Sequence, residues 1–118
     1  MYKLIILIEP EIDQEAFFAG WPRFLEHAEN LPGLDRLVSA PVHVHLVGAY
    51  NPLMVHELIF ESQQALEQAL ASEHGVAAGE TLQRITGGAV SLLVAGHLED
   101  SGENLRAYRG KTGSDSKG

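Results

Sequence analysis

Val38-Ser-Ala-Pro-Val-His-Val-His-Leu-Val-Gly48 sets two histidines on alternate positions of an otherwise apolar run. Side chains of a strand alternate in direction. The spacing therefore predicts His43 and His45 on one face, ~7 Å apart, and Val42, Val44 and Leu46 on the other. The next apolar run, Leu53 to Phe60, follows after the turn residues Ala49-Tyr50-Asn51-Pro52, so the two runs read as a hairpin. Its register decides what the histidines meet. If Gly48 pairs with Leu53, His45 faces His56. A one-residue slip sets His45 opposite Glu57 and gathers His43, His45 and Glu57 on one side. The other side then holds Val42, Val44, Leu46, Met54, Leu58 and Phe60, with His56 among them. The slipped register makes the helix-facing side more apolar and is the preferred reading.

Outward from this hairpin the remaining elements fall into place. Leu4 to Ile8 is an unbroken aliphatic run that suits a strand buried on both faces. Pro10 closes it, and Asp13 is an N-cap for a helix whose apolar stripe is Phe17, Phe18, Trp21, Phe24, Leu25 and Ala28. Pro22, with Gly20 nearby, predicts a kink or a two-part helix. Leu31-Pro-Gly-Leu34 stops the helix. The second strand is expected over Leu34 to Gly48, with Pro41 forcing a bulge or an edge position. Ser62 caps a second helix with Leu66, Ala69 and Leu70 on its inner face, and Gly75 and Gly79 weaken it as one unbroken run. Gly87-Gly88 ends it, and Ala89 to Gly96 is the fourth strand. From Asp100 onward apolar residues nearly vanish, which predicts a flexible tail over 100–118 after one folded domain over 1–99.

The order is β-α-β-β-α-β, an α+β chain of ferredoxin-like arrangement with both helices on one face of a four-stranded antiparallel sheet. The opposite face would then show aliphatic side chains to water. A monomer rarely exposes an apolar patch beyond ~300–600 Å². The missing cover is predicted to be a second copy of the chain, giving a homodimer with a cavity between facing sheets.

Composition narrows the partners. A net charge of −8 over 118 residues argues against a nucleic-acid or anionic-membrane partner. There is no cysteine, hence no disulfide framework and no thiolate metal site. The first apolar run is too short to span a membrane and meets Glu9 to Asp13 rather than a small-residue cleavage site, so a cytoplasmic location is expected.

Three motifs in order, Leu31-Pro-Gly-Leu34, Val55-His-Glu-Leu-Ile-Phe-Glu-Ser62 and Ala65-Leu-Glu-Gln-Ala-Leu-Ala-Ser-Glu-His-Gly75, resemble the EthD family, named for ethyl tert-butyl ether degradation. The resemblance covers roughly residues 1 to 98. It implies membership of the dimeric α/β-barrel superfamily, with two sheets facing each other around a cavity. Relatives there include small monooxygenases, lactone isomerases, polyketide cyclases and dehydratases, beside proteins of undefined activity. That family often carries a Trp followed four residues later by a His in the first helix. Here Trp21 is followed by Leu25, and His27 stands two residues further on.

The site residues expected from this reading are His43 or His45 as acid/base, with Glu57 fixing the imidazole tautomer and raising its basicity. Trp21, Tyr50 and His56 are expected to line the substrate: Trp21 as a cavity wall, Tyr50 at the mouth. The bland alternatives are interface or edge polarity for the histidines and plain core packing for Trp21. The ligand would be a small hydrophobic metabolite, and no cofactor or metal is required. If the protein is an enzyme, cofactor-independent lyase, isomerase or monooxygenase chemistry is expected. Otherwise it is a non-catalytic accessory or ligand-binding protein. A metal held by the His43/His45 pair, with Glu57 or His56 as third ligand, is a further alternative.

Overall fold

The computed structural model describes residues 1–99, and the tail expected over 100–118 lies outside the described residues. Seven elements follow in order: β1 (Tyr2–Ile8), α1 (Gln14–Glu29), β2 (Leu34–Pro41), β3 (Met54–Phe60), α2 (Gln63–Ala71), α3 (Glu73–Thr86) and β4 (Val90–Gly96). The strands form one sheet in the order β2-β3-β1-β4, every neighbouring pair antiparallel. This is the expected α+β, ferredoxin-like order, with the second helical segment divided in two.

Alternation sorts the sheet into two faces. Leu4, Ile6 and Ile8 of β1 pair with Leu58, His56 and Met54 of β3, and all six are buried beneath the helices. Phe17, Phe24 and Ala28 of α1, Leu66 and Ala69 of α2, and Ala78, Leu82 and Ile85 of α3 complete this core. Leu25 and Trp21 are half-buried at its margin, whereas Phe18, expected in the stripe, is 50% exposed.

Caps fall where side-chain chemistry places them. The Ala16 N–H donates to Asp13 Oδ1 (3.3 Å) and the Ala65 N–H to Ser62 Oγ (3.1 Å). The helix after Ser62 breaks at Ser72, which ends α2 and starts α3. Ser72 Oγ donates to the Ala69 carbonyl (2.6 Å) and accepts from the Gly75 N–H (3.1 Å). Gly75 is required at this corner because a Cβ there would collide with the Ala69 carbonyl oxygen.

Two expectations need correction. Helix α1 is not divided at Pro22: it runs from Gln14 to Glu29. Pro22 and Phe18, four residues before it, are both exposed, so the carbonyl that loses its donor lies on the wet side of the helix. The second strand stops at Pro41 instead of Gly48. Pro41, opposite Met54, and Pro52 lie on either side of the Val42–Leu53 pair at the base of the hairpin, neither has an N–H to give, and the ladder continues through Val42 N–H to the Leu53 carbonyl (3.0 Å). The bulge lies between Leu34 and Arg36, not at Pro41. The edge position of β2 is as expected.

After β4 the chain turns back toward the far edge. The His97 N–H donates to the Met1 carbonyl (2.8 Å), and Arg36 on β2 donates to Glu99 (3.2 Å). The bond from His97, and then the Arg36 guanidinium, hold the Glu99 carboxyl below the usual carboxylate range.

Candidate functional site: the open sheet face and the hairpin at its end

Among the described residues no helix covers the second face of the sheet. The register places Lys3, Ile5 and Leu7 of β1, Val55, Glu57 and Ile59 of β3, Val38 and Ala40 of β2, and Ser91, Leu93 and Ala95 of β4 on it. Leu93 is 50% exposed and Val38 is exposed as well. Ile59 is buried even on this side, between Lys3 and Arg36 in the register, whose aliphatic stems flank it.

One ion pair sits amid these aliphatics. Lys3 Nζ donates to Glu57 Oε2 at 3.2 Å, and the two side chains are only 18% and 21% exposed. The pair crosses diagonally between the central strands, since Glu57 stands opposite Ile5 and Lys3 opposite Ile59. Glu57 therefore lies on the predicted face, but its partner is Lys3. Opposite Glu57 on β2 stands Val38, not His45.

His43 and His45 belong to the exposed, irregular hairpin segment between Val42 and Leu53. Both line one hollow of about 150 Å³ together with Pro10, Val42, Asn51, Pro52 and Leu53. The cluster of His43, His45 and Glu57 expected from an extended β2 is thus not assembled within one chain. Three residues of strand, ~10 Å, separate Glu57 from the end of β3 where the hairpin begins. Among the described residues no group of three or more His, Asp or Glu side chains is placed to hold a metal ion.

Tyr50 anchors the same end of the sheet. Its hydroxyl donates to Glu9 Oε2 (2.9 Å), which also accepts from Ser91 Oγ (2.7 Å) on the open face. Loss of water around the hydroxyl, and then the Glu9 carboxylate, push the Tyr50 phenol above its usual pKa. The hairpin beyond carries bare aliphatics: Val44 is 71% exposed, Leu46 and Val47 88%.

His56 and Trp21 lie on the helix-covered side of the sheet, where the slipped register places His56, so neither of these two expected substrate-binding residues lines the open face. His56 is fully buried, with Nδ1 sharing a 2.6 Å hydrogen bond with Ser39 Oγ, its cross-strand neighbour on β2. Trp21 and Phe24 meet its ring edge-to-face at 5.1 and 5.8 Å, and Nε2 has no hydrogen-bond partner among the described residues. Burial pushes its pKa down to about 4, against a small opposing pull from Glu57, so the ring is neutral at pH 7. Trp21 stacks on Phe24 at 4.8 Å, a packing role. The sequence reading missed Lys3 because a lone lysine near the start of an aliphatic strand carries no spacing signal. Only the β1–β3 register brings it to Glu57.

A second cavity of about 90 Å³ opens on the helix side between α3 and the sheet, lined by apolar residues including Phe24, Ala78, Gly79 and Leu82, with half-exposed Leu92 at its margin. No helix among the described residues is long and apolar enough to cross a membrane.

Comparison with solved structures shows the fold. No family model matches the sequence, and no curated protein matches it. An ethyl tert-butyl ether D (EthD) family protein from Bacillus halodurans is similar at a TM-score of 0.75 and 22% identity, over 83% of this chain and 99% of that one. A dimeric ferredoxin-like protein of unknown function from Jannaschia sp. CCS1 matches at 0.63 and 15% identity, over 81% and 98%. A variant of SnoaB, a cofactor-independent oxygenase from Streptomyces nogalater, matches at 0.57 and 13% identity, over 86% and 95%. The chain therefore has the EthD-like, ferredoxin-like fold that its motifs resemble, shared across nearly the whole length of each of these proteins.

Proposed function

We propose that the chain is a small cytoplasmic homodimer that binds a small hydrophobic metabolite between two facing sheets and acts on it without a cofactor. The observation that carries this reading is the sheet face that no helix among the described residues covers. Val38 and Leu93 are exposed there and Ile5, Leu7 and Val55 half-buried, around one ion pair. Apolar surface removed from water stabilises association by roughly 25 cal/mol per Å², and a second copy is the simplest cover because it brings an identical patch. The Jannaschia protein of the same fold is described as dimeric, and the Streptomyces one as a cofactor-independent oxygenase, which supports the same reading.

In this arrangement Glu57 faces the enclosed space. His43, His45 and Tyr50 stand at the hairpin end of the sheet, the proposed mouth, where the histidines serve as acid/base or hydrogen-bonding groups for an entering ligand. The test is direct. Light scattering on the untagged protein in dilute buffer is expected to return twice the 12.8 kDa chain mass. A stable 12.8 kDa particle removes the enclosed space and the proposal with it.

A further inference from the structure

We infer that Lys3 and Glu57 together form a proton-transfer site for a small, largely hydrocarbon carbonyl compound with an acidic carbon–hydrogen bond next to the carbonyl. This inference rests on the proposed dimer and names the substrate class of its cavity.

Three observations carry it. The first is position. Lys3 and Glu57 stand on the two central strands of the open face, among Ile5, Leu7, Val55 and Leu93. Charges on that patch oppose its burial, since each ion taken from water costs several kcal/mol and a pair is often no more stable than two aliphatics. Stability alone gives no reason for them there. The second is availability. Among the described residues, Lys3 has Glu57 as its recorded hydrogen-bond partner and Glu57 has Lys3. The ammonium therefore keeps N–H donors for a ligand oxygen, and the carboxylate keeps Glu57 Oε1 as an acceptor. The third is complementarity. A base and a fixed cation 3.2 Å apart match the two ends of an enolisation: the carbon that loses a proton and the oxygen that gains charge.

The step balances within the substrate and these two side chains. Glu57 takes the proton as the carbon–hydrogen bond breaks. That electron pair forms a carbon–carbon double bond, and the carbonyl pair moves onto the oxygen beside Lys3. The carboxylic acid then returns its proton, either to the same carbon or to the far carbon of a conjugated system, which completes an isomerisation. No oxidant or reductant is consumed. Surrounding aliphatics strengthen both the general-base and the charge-stabilising contributions by excluding water.

Two probes test it on the intact protein. In heavy water, cyclohexanone is expected to lose its α-proton NMR signal faster with wild type than in buffer alone. Glu57→Gln should slow the protein-dependent rate at least about 100-fold. Lys3→Met should slow it about 100-fold or more. Para-nitrophenol, whose phenolate resembles the enolate oxygen, should bind wild type and turn yellow below its own pKa. Lys3→Met should abolish that colour and Glu57→Gln should keep it. A wild-type dimer that binds para-nitrophenol without colour and exchanges no α-protons overturns this inference alone. A monomer that binds neither probe overturns the dimer first, and this site with it. If Lys3→Met does not remain dimeric by light scattering, the wild-type colour shift decides.

Discussion

His56 shows how one residue type reads differently with each neighbour. Its ring is buried under Trp21 and Phe24 and tied to Ser39, and burial depresses its pKa to about 4 from a usual value near 6.5. The unfolded chain therefore binds a proton more readily than the folded one below pH 6.5. The stabilising contribution of the neutral ring is present above pH 6.5 and is lost as pH falls toward 4. Its slope approaches about 1.4 kcal/mol per pH unit inside that window. In urea titrations at pH 7, 6 and 5, the wild-type midpoint is expected to fall more steeply than that of His56→Leu, which has no proton to take up. Ser39, left without its partner in that variant, is exposed and turns to water. Equal slopes in the two proteins would show that His56 is not the titrating group. The sequence reading placed His56 on the helix-facing side correctly. It did not place Ser39 opposite, because the pairing depends on where β2 ends.

At the scale of elements, caps and prolines decided what alternation left open. Asp13 and Ser62 start their helices as their chemistry predicts, because a short side-chain acceptor before an apolar stripe is a local signal. The hairpin was misread because hydrophobic alternation from Val42 to Val47 imitates a strand, while Pro41 and Pro52 remove donors on both sides of it. His43 and His45 thereby leave the sheet, and with them goes the expected contact to Glu57. The α2–α3 corner is a sharper test of local reasoning. Ser72→Ala removes one side-chain bond at each helix end and should cost about 1 kcal/mol. That is a thermal midpoint lower by roughly 4 °C. Gly75→Ala forces a methyl group against the Ala69 carbonyl oxygen and should cost about 1–3 kcal/mol. Gly79→Ala is expected to move the other way by up to ~1 kcal/mol, because its added Cβ meets nothing within 4 Å and alanine favours a helix. Calorimetry on the three variants gives the order of midpoints: Gly79→Ala highest, Gly75→Ala lowest.

For the whole molecule, the sequence led to the expectation of one sheet face without a helical cover, as holds among the described residues, but could not show which strand carries the bare surface. β4 does so on both of its sides. Leu92 and Leu93 are adjacent, 51% and 50% exposed, and point to opposite faces. Leu93 stands opposite Ile5 on the open face, and Leu92 stands opposite Ile6 beside the helix-side cavity. Equal exposure makes the pair a controlled comparison, since a charge at either position disturbs a single chain by a similar amount. If two copies associate through the open face, Leu93→Glu buries one unpaired carboxylate from each copy at the interface. The dimer should then dissociate at micromolar concentration. Leu92→Glu leaves that surface unchanged and should remain dimeric at the same concentration. Sedimentation equilibrium on the two variants reads the difference directly. If instead Leu92→Glu dissociates and Leu93→Glu does not, the copies meet through the helix-side edge of β4. The Lys3–Glu57 pair would then face open water, with no enclosed space in which to work.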